Sequence, residues 1–116
     1  MRVSAKKLNP SLKSQITKAL AQSIALMRDV DEVDNFLKDF LNDSEYESFA
    51  KRLAIAYWLK KGRSYANIKT NLKVSSATIA QAQKDMEKPG FAIALKKLEA
   101  EEWASQWEEK IKTFLK

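Results

Sequence analysis

Residues 64–86 read SYANIKTNLKVSSATIAQAQKDM, and this stretch has the pattern of two short helices joined by a tight turn. The first helix covers about 64–72, the turn covers 73–74, and the second helix begins at Ser75 or Ser76. A serine stands at each predicted start, where its hydroxyl can accept a hydrogen bond from the first helical turn. The spacing predicts a helix-turn-helix.

The two predicted helices have distinct inner and outer faces. The inner face consists of apolar or small side chains, namely Ile68, Leu72, Val74, Ile79 and Ala82. The outer face of the second helix consists of small or polar side chains, namely Ser76, Ala77, Thr78, Ala80, Gln81 and Lys84. Side chains of this kind let a helix lie close to base edges in the major groove of DNA.

Three longer helices are predicted before this motif. The first covers about 10–28 and carries apolar residues at helical spacing. The second follows the acidic stretch 29–32, since acidic residues suit the positive end of a helix dipole. Asn42 can cap the third helix and form a capping box with Glu45, and Gly62 can end it.

After the motif, the second short helix is expected to end at about Lys88, and Pro89-Gly90 is expected to break the chain. We therefore divide the sequence into a helical DNA-binding domain, 1–88, and a C-terminal amphipathic helix, 89–116. The last segment has an apolar row at Trp103, Trp107, Ile111 and Phe114. This row can pack back on the domain or against a partner chain, and we favour the partner chain because aromatic side chains are enriched in interfaces.

The composition supports an all-α fold of about six helices. The chain has 116 residues, 45% of them hydrophobic, and only two Gly and two Pro. It has no Cys and no His, which removes most nucleophile pairs, thiolate chemistry and most zinc sites. We expect no enzyme, no metal and no cofactor.

The N-terminus lacks the apolar stretch of a signal peptide, and no apolar run is long enough to span a bilayer, so we expect a soluble, cytoplasmic protein.

Positive charge is concentrated in one stretch. Residues 1–59 have nine Lys or Arg and eight Asp or Glu, and residues 91–116 have five of each. Residues 60–88 have seven against two, so they hold almost all of the net charge of +6. Such a patch indicates either a phosphate-binding surface or a solvated basic face. On charge alone we select three further candidates for phosphate contacts, Lys60, Lys61 and Arg63.

The motif resembles the Trp repressor family, and especially its Trp-repressor-like bacterial relatives. The features that carry the resemblance are Gly62, Tyr65, Ile68, Ser75-Ser76-Ala77-Thr78-Ile79 and, upstream, Leu41-Asn42 and Arg52-Leu53. It covers about 36–86, and the segment after Pro89 has no counterpart that we can place. The resemblance implies an intertwined homodimer whose two recognition helices enter successive major grooves of double-stranded DNA. It also implies that Lys69 contacts phosphate or bases and that Ser76, Ala77, Thr78 and Ala80 face the groove.

The effector site departs from the family pattern. The founding member holds L-tryptophan between two arginines, and Arg52 matches one of them while Gln81 replaces the other. Asn42 replaces a threonine, and Ala82 stands where a glycine leaves room for the indole ring. Losing a guanidinium removes a strong contact with the ligand carboxylate, so we expect that L-tryptophan is not the effector. Arg52, Asn42 and Gln81 remain candidates for the pocket of another effector, and Arg52 can instead form a structural ion pair.

A lysine at position 73 is a further departure, because the family has glycine at this left-handed turn position. Either the turn differs slightly, or packing overrides a strain of about 1 kcal/mol.

The leading interpretation is a dimeric, sequence-specific transcriptional regulator, most simply a repressor that blocks a promoter. One alternative is a helix-turn-helix accessory protein of replication or transposition. The other is a helical interaction module that binds no nucleic acid.

Overall fold

The computed structural model describes residues 6–114, without the side chains of residues 104, 106–108, 110–112 and 114. The described residues form six helices and no strand, which confirms the all-α prediction. The helices are α1 (Pro10–Ala25), α2 (Val30–Phe40), α3 (Asp43–Lys60), α4 (Tyr65–Leu72), α5 (Ser76–Asp85) and α6 (Pro89–Phe114). No helix in the described part of the chain is both long enough and apolar enough to span a bilayer.

The chain divides into two compact units, Met1–Tyr46 and Glu47–Lys116. In the first unit, Asn9 caps α1 through its side-chain oxygen, and Asp29 caps α2 by accepting a hydrogen bond of 2.9 Å from the backbone N–H of Glu32. The predicted first helix, to about residue 28, is about three residues too long, because α1 ends at Ala25. Residues 26–28 form the connection to the Asp29 cap and cannot also extend α1.

The start of α3 has the predicted capping box. The backbone N–H of Asn42 donates to Oε1 of Glu45 at 2.9 Å, and the backbone N–H of Glu45 donates to Oδ1 of Asn42 at 2.8 Å. Each side chain thus satisfies a backbone donor of the other residue.

The end of α3 is closed by Gly62 in the left-handed region, with φ +88°. The N–H of Gly62 donates to the carbonyl of Leu59, and the N–H of Arg63 donates to the carbonyl of Trp58, each at 3.0 Å. This pair of bonds is a Schellman motif, which satisfies carbonyls that have no partner within the helix. The predicted glycine cap is confirmed.

The second unit has its core around the helix-turn-helix. Ile68 of α4 and Ile79 of α5 are completely buried together with Ile55 of α3, and Ala82 is almost completely buried. Leu72 and Val74, both half-buried, pack against this cluster. The predicted inner face of the motif is therefore confirmed.

Two boundaries near α5 differ from the prediction. The helix ends at Asp85, about three residues earlier than expected. The pair Pro89-Gly90 does not break the chain, because Pro89 is the first residue of α6. Proline fits this position because its missing N–H would have no helical acceptor and its fixed φ suits a helix. The helical path is interrupted instead at 86–88. At the start of α6, the N–H of Ala92 donates to the carbonyl of Lys88 at 3.0 Å.

Helix α6 contributes Leu95, which is 1% exposed, to the interior of the second unit. Farther along, Trp103 is 62% exposed. The side chains of Trp107, Ile111 and Phe114, which complete the predicted apolar row, lie outside the described residues.

Candidate nucleic-acid interface

The turn between α4 and α5 places Lys73 in the left-handed region, with φ 57° and ψ 51°. Its N–H donates to the carbonyl of Lys69 at 3.0 Å and closes α4. The Ser75 hydroxyl then accepts a hydrogen bond of 3.1 Å from the Thr78 N–H, which caps α5. Of the two explanations for a lysine here, the structure favours a left-handed turn held by packing, with Val74 anchored on the core.

All six predicted outer side chains of α5 are exposed, and they form one continuous small or polar surface. These residues are Ser76, Ala77, Thr78, Ala80, Gln81 and Lys84. Lys69 of α4 is exposed as well. Neither Lys69 nor Lys84 forms an ion pair with another described residue, so both ammonium groups are available to an external anion.

Two polar groups on this surface already have internal partners. The Thr78 hydroxyl lies 2.9 Å from the Ser75 hydroxyl. The Gln81 side-chain amide donates from Nε2 to Oδ1 of Asp85 at 3.2 Å. A bidentate pair between Gln81 and an adenine would need that same Nε2 group, so it would compete with Asp85.

The three basic residues selected on charge alone have partners within the second unit. Lys60 lies 3.5 Å from Glu99, and Lys61 lies 3.4 Å from Glu102, both on α6. The Arg63 guanidinium lies over the Trp58 ring, 3.8 Å from its centroid. Lys60 and Lys61 therefore face carboxylates that would compete with phosphate, unlike Lys69 and Lys84.

Asp85 was not predicted from the sequence as a site residue; it is 3% exposed, and three side chains contact its carboxylate. Its Oδ1 lies 3.0 Å from Nζ of Lys88 and 3.2 Å from Nε2 of Gln81, and its Oδ2 lies 3.5 Å from Nη2 of Arg52. The hydrogen bond from Lys88 lowers the pKa of Asp85 most; burial opposes this, and Gln81 and Arg52 lower the pKa further. The spacing offered a signal, since Asp85 follows the buried Ala82 by three residues on the inner face.

The structure brings together two of the three candidate effector residues. Arg52 and Gln81 meet at the Asp85 carboxylate, and the Arg52 guanidinium also lies 5.9 Å from the centroid of the Phe91 ring. The ion pair offered as an alternative role for Arg52 is therefore present. Asn42 belongs to the first unit, where its side-chain oxygen caps α3.

A further contact links the two helices of the motif. The Tyr65 hydroxyl of α4 forms a hydrogen bond with Oε1 of Gln83 on α5. This bond joins α4 to α5 on the exposed side, and the shared core joins them on the inner side.

Two short helices, a tight left-handed turn and an exposed polar face on the second helix define a helix-turn-helix protein. The sequence matches the family described as Trp repressor protein over residues 15–99, and the chain belongs to that family. The match is longer than the 36–86 segment on which the resemblance was recognised, since it includes most of α1 and the first part of α6.

Individual relatives agree with this assignment. The uncharacterized protein YerC of Bacillus subtilis (strain 168) is 34% identical over 65 residues, which is 56% of this chain and 62% of that protein. The match thus spans less than two thirds of that relative. A TrpR-like protein from Eubacterium eligens ATCC 27750 is 28% identical, with a TM-score of 0.69 over 78% of this chain and 95% of its own. A protein described as a putative Trp repressor, from Staphylococcus aureus, is 22% identical, with a TM-score of 0.69 over 81% and 96% of the two chains, and shows the shared fold.

Proposed function

We propose that this protein is a sequence-specific, DNA-binding transcriptional regulator that reads the major groove with α5. The observation that carries the proposal is the exposed surface of α5, which has small and polar side chains, while Ile79 and Ala82 on the opposite side of the helix are buried in the core. A surface with few bulky side chains lets the helix approach base edges closely. Membership of the Trp repressor family supports the same function.

The distribution of unpaired charge supports contact with the phosphate backbone. Lys69 and Lys84 lie on the two helices of the motif and have no carboxylate partner among the described residues. Cations that flank a recognition helix position it by binding phosphates, while groups such as Ser76 and Thr78 face the bases. We assign phosphate contact first to Lys69 and Lys84, and only second to Lys60, Lys61 and Arg63.

The acting species in this proposal is a homodimer. Neither α1 nor α2 contains a fully buried residue, although α1 carries large apolar side chains. Leu12, Ile16 and Leu20 follow one another at i, i+4 spacing and are 45%, 51% and 41% exposed. Such a stripe is a surface that a second chain can cover, and two copies would present two recognition helices to a pseudo-palindromic site. The apolar residues beyond Trp103 on α6 are a second candidate for contact between the chains.

We propose repression by occlusion of a promoter as the mode of action, in the cytoplasm. L-tryptophan is not the effector in this proposal, because Gln81 supplies no guanidinium for its carboxylate. Isothermal titration that detects micromolar binding of L-tryptophan would contradict this part.

In vitro selection from a random duplex library, followed by affinity measurements on the selected sequence over a range of salt concentrations, tests the function. We expect enrichment of a sequence with two related half-sites, and affinity that falls steeply with salt because bound counterions are released. Absence of DNA affinity even at low salt would reject the proposal and favour the protein-interaction module. Enrichment of a sequence found at replication origins or at transposon ends would instead favour an accessory protein of those processes.

A further inference from the structure

Among the side chains that the structure describes in the second unit, Asp85 is the buried charged one, and it lies at the last position of the helix that presents the proposed DNA-reading surface. Three separate segments converge on its carboxylate. Arg52 comes from α3, Gln81 from the preceding turn of α5, and Lys88 from the connection to α6. Both carboxylate oxygens are used, and the three contacts fall between 3.0 and 3.5 Å.

The contacts of Asp85 differ from those of an ordinary surface ion pair. The Asp85 side chain is 4% exposed, whereas the Arg52 and Lys88 side chains are 49% and 66% exposed. Two cations therefore extend from solvent toward one enclosed anion. If that anion were removed, the Gln81 amide and both cations would lose their common acceptor, and the polar contact between the end of α5 and Arg52 of α3 would be lost.

A groove of about 530 Å³ lies beside this cluster, with Phe49, Leu53 and Phe91 among its apolar lining. Arg52 and Lys88 are the cations that line it, and both already face Asp85. A small acid that entered the groove would compete with Asp85 for these two groups and would be repelled by it. Both cations that line the groove are therefore already paired with Asp85, and neither is free to bind an acidic ligand.

We propose that Asp85 is a positioning residue that supplies, from within the chain, the anion that orients the recognition helix, so that DNA binding requires no small acidic effector. The inference rests on the proposed function, because it concerns how the DNA-reading surface of α5 is held. It assigns Arg52 and Gln81 to an internal cluster rather than to an effector pocket.

The first experiment titrates the dialysed wild-type chain with its selected duplex by fluorescence anisotropy. One series contains no added small molecule, and parallel series contain sodium acetate or L-tryptophan at an ionic strength matched with chloride. We expect the same dissociation constant in every series. A gain of about tenfold or more with either acid would overturn the inference, because that change corresponds to one charge-assisted hydrogen bond that the free protein lacks.

The second experiment removes the anion. Asp85→Ala, checked for helix content by circular dichroism, should bind the selected duplex about tenfold or more weakly, and acetate should restore part of the loss where chloride does not. Glu87→Ala is the matched control, since Glu87 is an exposed carboxylate two residues away and should leave affinity unchanged. A folded Asp85→Ala chain that binds like the wild type, or that acetate does not rescue, would overturn the inference.

The two proposals fail in different ways. A wild-type chain that binds no duplex at low salt would reject the DNA-binding function itself. A wild-type chain that binds DNA, but does so only with an added acid or independently of Asp85, would reject the positioning role and leave the function intact. If Asp85→Ala does not fold, Asp85→Asn, which removes the charge and keeps the shape of the side chain, takes its place in the second experiment.

Discussion

The ammonium group of Lys60 at the end of α3 lies 3.5 Å from a carboxylate oxygen of Glu99 on α6. One turn of α6 later, Glu102 pairs with Lys61 and also forms a hydrogen bond with the Tyr57 hydroxyl. Two of the lysines that make residues 60–88 so basic therefore face carboxylates on α6. The positive charge left for an external anion is centred on the helix-turn-helix.

Substitution of single lysines should distinguish those that contact DNA from those that are paired with carboxylates on α6. Lys69→Gln and Lys84→Gln should each weaken DNA binding and reduce the slope of log affinity against log salt concentration by about 1.8, because one phosphate contact, worth about 0.9, is lost from each protomer of the dimer. Lys61→Gln is the comparison variant and should change the slope less, because its charge is already paired with Glu102. Anisotropy titrations at several salt concentrations measure all three slopes. An equal loss of slope for Lys61→Gln would show that DNA displaces Glu102.

The distance along the chain between interacting residues explains what could be predicted from the sequence. The turn at Lys73, the Asn42–Glu45 capping box and the inner row through Ile68 and Ile79 depend on residues close together in the chain, and all were predicted correctly. The partners of Lys60 and Lys61 lie some forty positions away on α6, and a charge count along the chain carries no information about such pairs.

Two errors near α5 have a related origin. The pair Pro89-Gly90 was interpreted as a breaker because its two residues are rare within helices, but proline is favoured at a first helical position. Asp85 was counted only as a negative charge, although its spacing from Ala82 placed it on the inner face. A carboxylate on that face needs partners, and these came from Arg52 and Lys88 on other segments.

The left-handed turn predicts a stabilising substitution. Lys73→Gly should raise the free energy of unfolding by about 1 kcal/mol, because a side chain is strained at φ 57° while glycine is not. Urea unfolding followed by circular dichroism, at one fixed protein concentration, measures the change. Lys73→Ala is the control and should give no comparable gain, since alanine keeps the Cβ atom. Equal stability of the glycine and alanine variants would show that the turn is not strained.

The two glycines should respond to alanine in opposite directions. A Cβ atom meets no other atom within 4 Å at either Gly62 or Gly90, so packing does not decide the outcome. Gly62→Ala should lower stability by about 1 kcal/mol because φ is +88° there. Gly90→Ala should raise it by up to about 0.5 kcal/mol, because alanine is the better helix former and Gly90, in the first turn of α6, has no left-handed φ. Changes of the same sign in thermal or urea unfolding would contradict this pairing.

The Asp85 carboxylate predicts how stability depends on pH. Its folded-state pKa is below the ordinary value of 3.8, mainly because of Lys88, so the ionised form stabilises the folded chain. That contribution should be complete at pH values well above 3.8 and should disappear as the pH falls through the folded-state pKa. The difference between the wild type and Asp85→Asn in urea midpoint should therefore be largest at neutral pH and shrink in acid. A difference that is constant with pH would show that the charge of Asp85 is not involved.

The apolar stripe of α1 predicts the oligomeric state. Leu12, Ile16 and Leu20 leave about half of their surfaces exposed in the single chain, which is costly for side chains of this size unless another surface covers them. Ile16→Glu should turn a dimer into a monomer, since it puts a charge at the centre of the stripe. Lys18→Glu provides the control, because residue 18 is also exposed but lies about 200° around the helix from Ile16.

Sedimentation velocity across a range of concentrations distinguishes the two species. We expect the wild type and Lys18→Glu to sediment as dimers and Ile16→Glu to sediment as a monomer. The monomer should also bind the selected duplex more weakly, because it presents one recognition helix instead of two to paired half-sites. A wild-type monomer would remove the homodimer from the proposed function. A dimeric Ile16→Glu chain would instead move the interface away from α1, which leaves the apolar segment after Trp103 as the next surface to test.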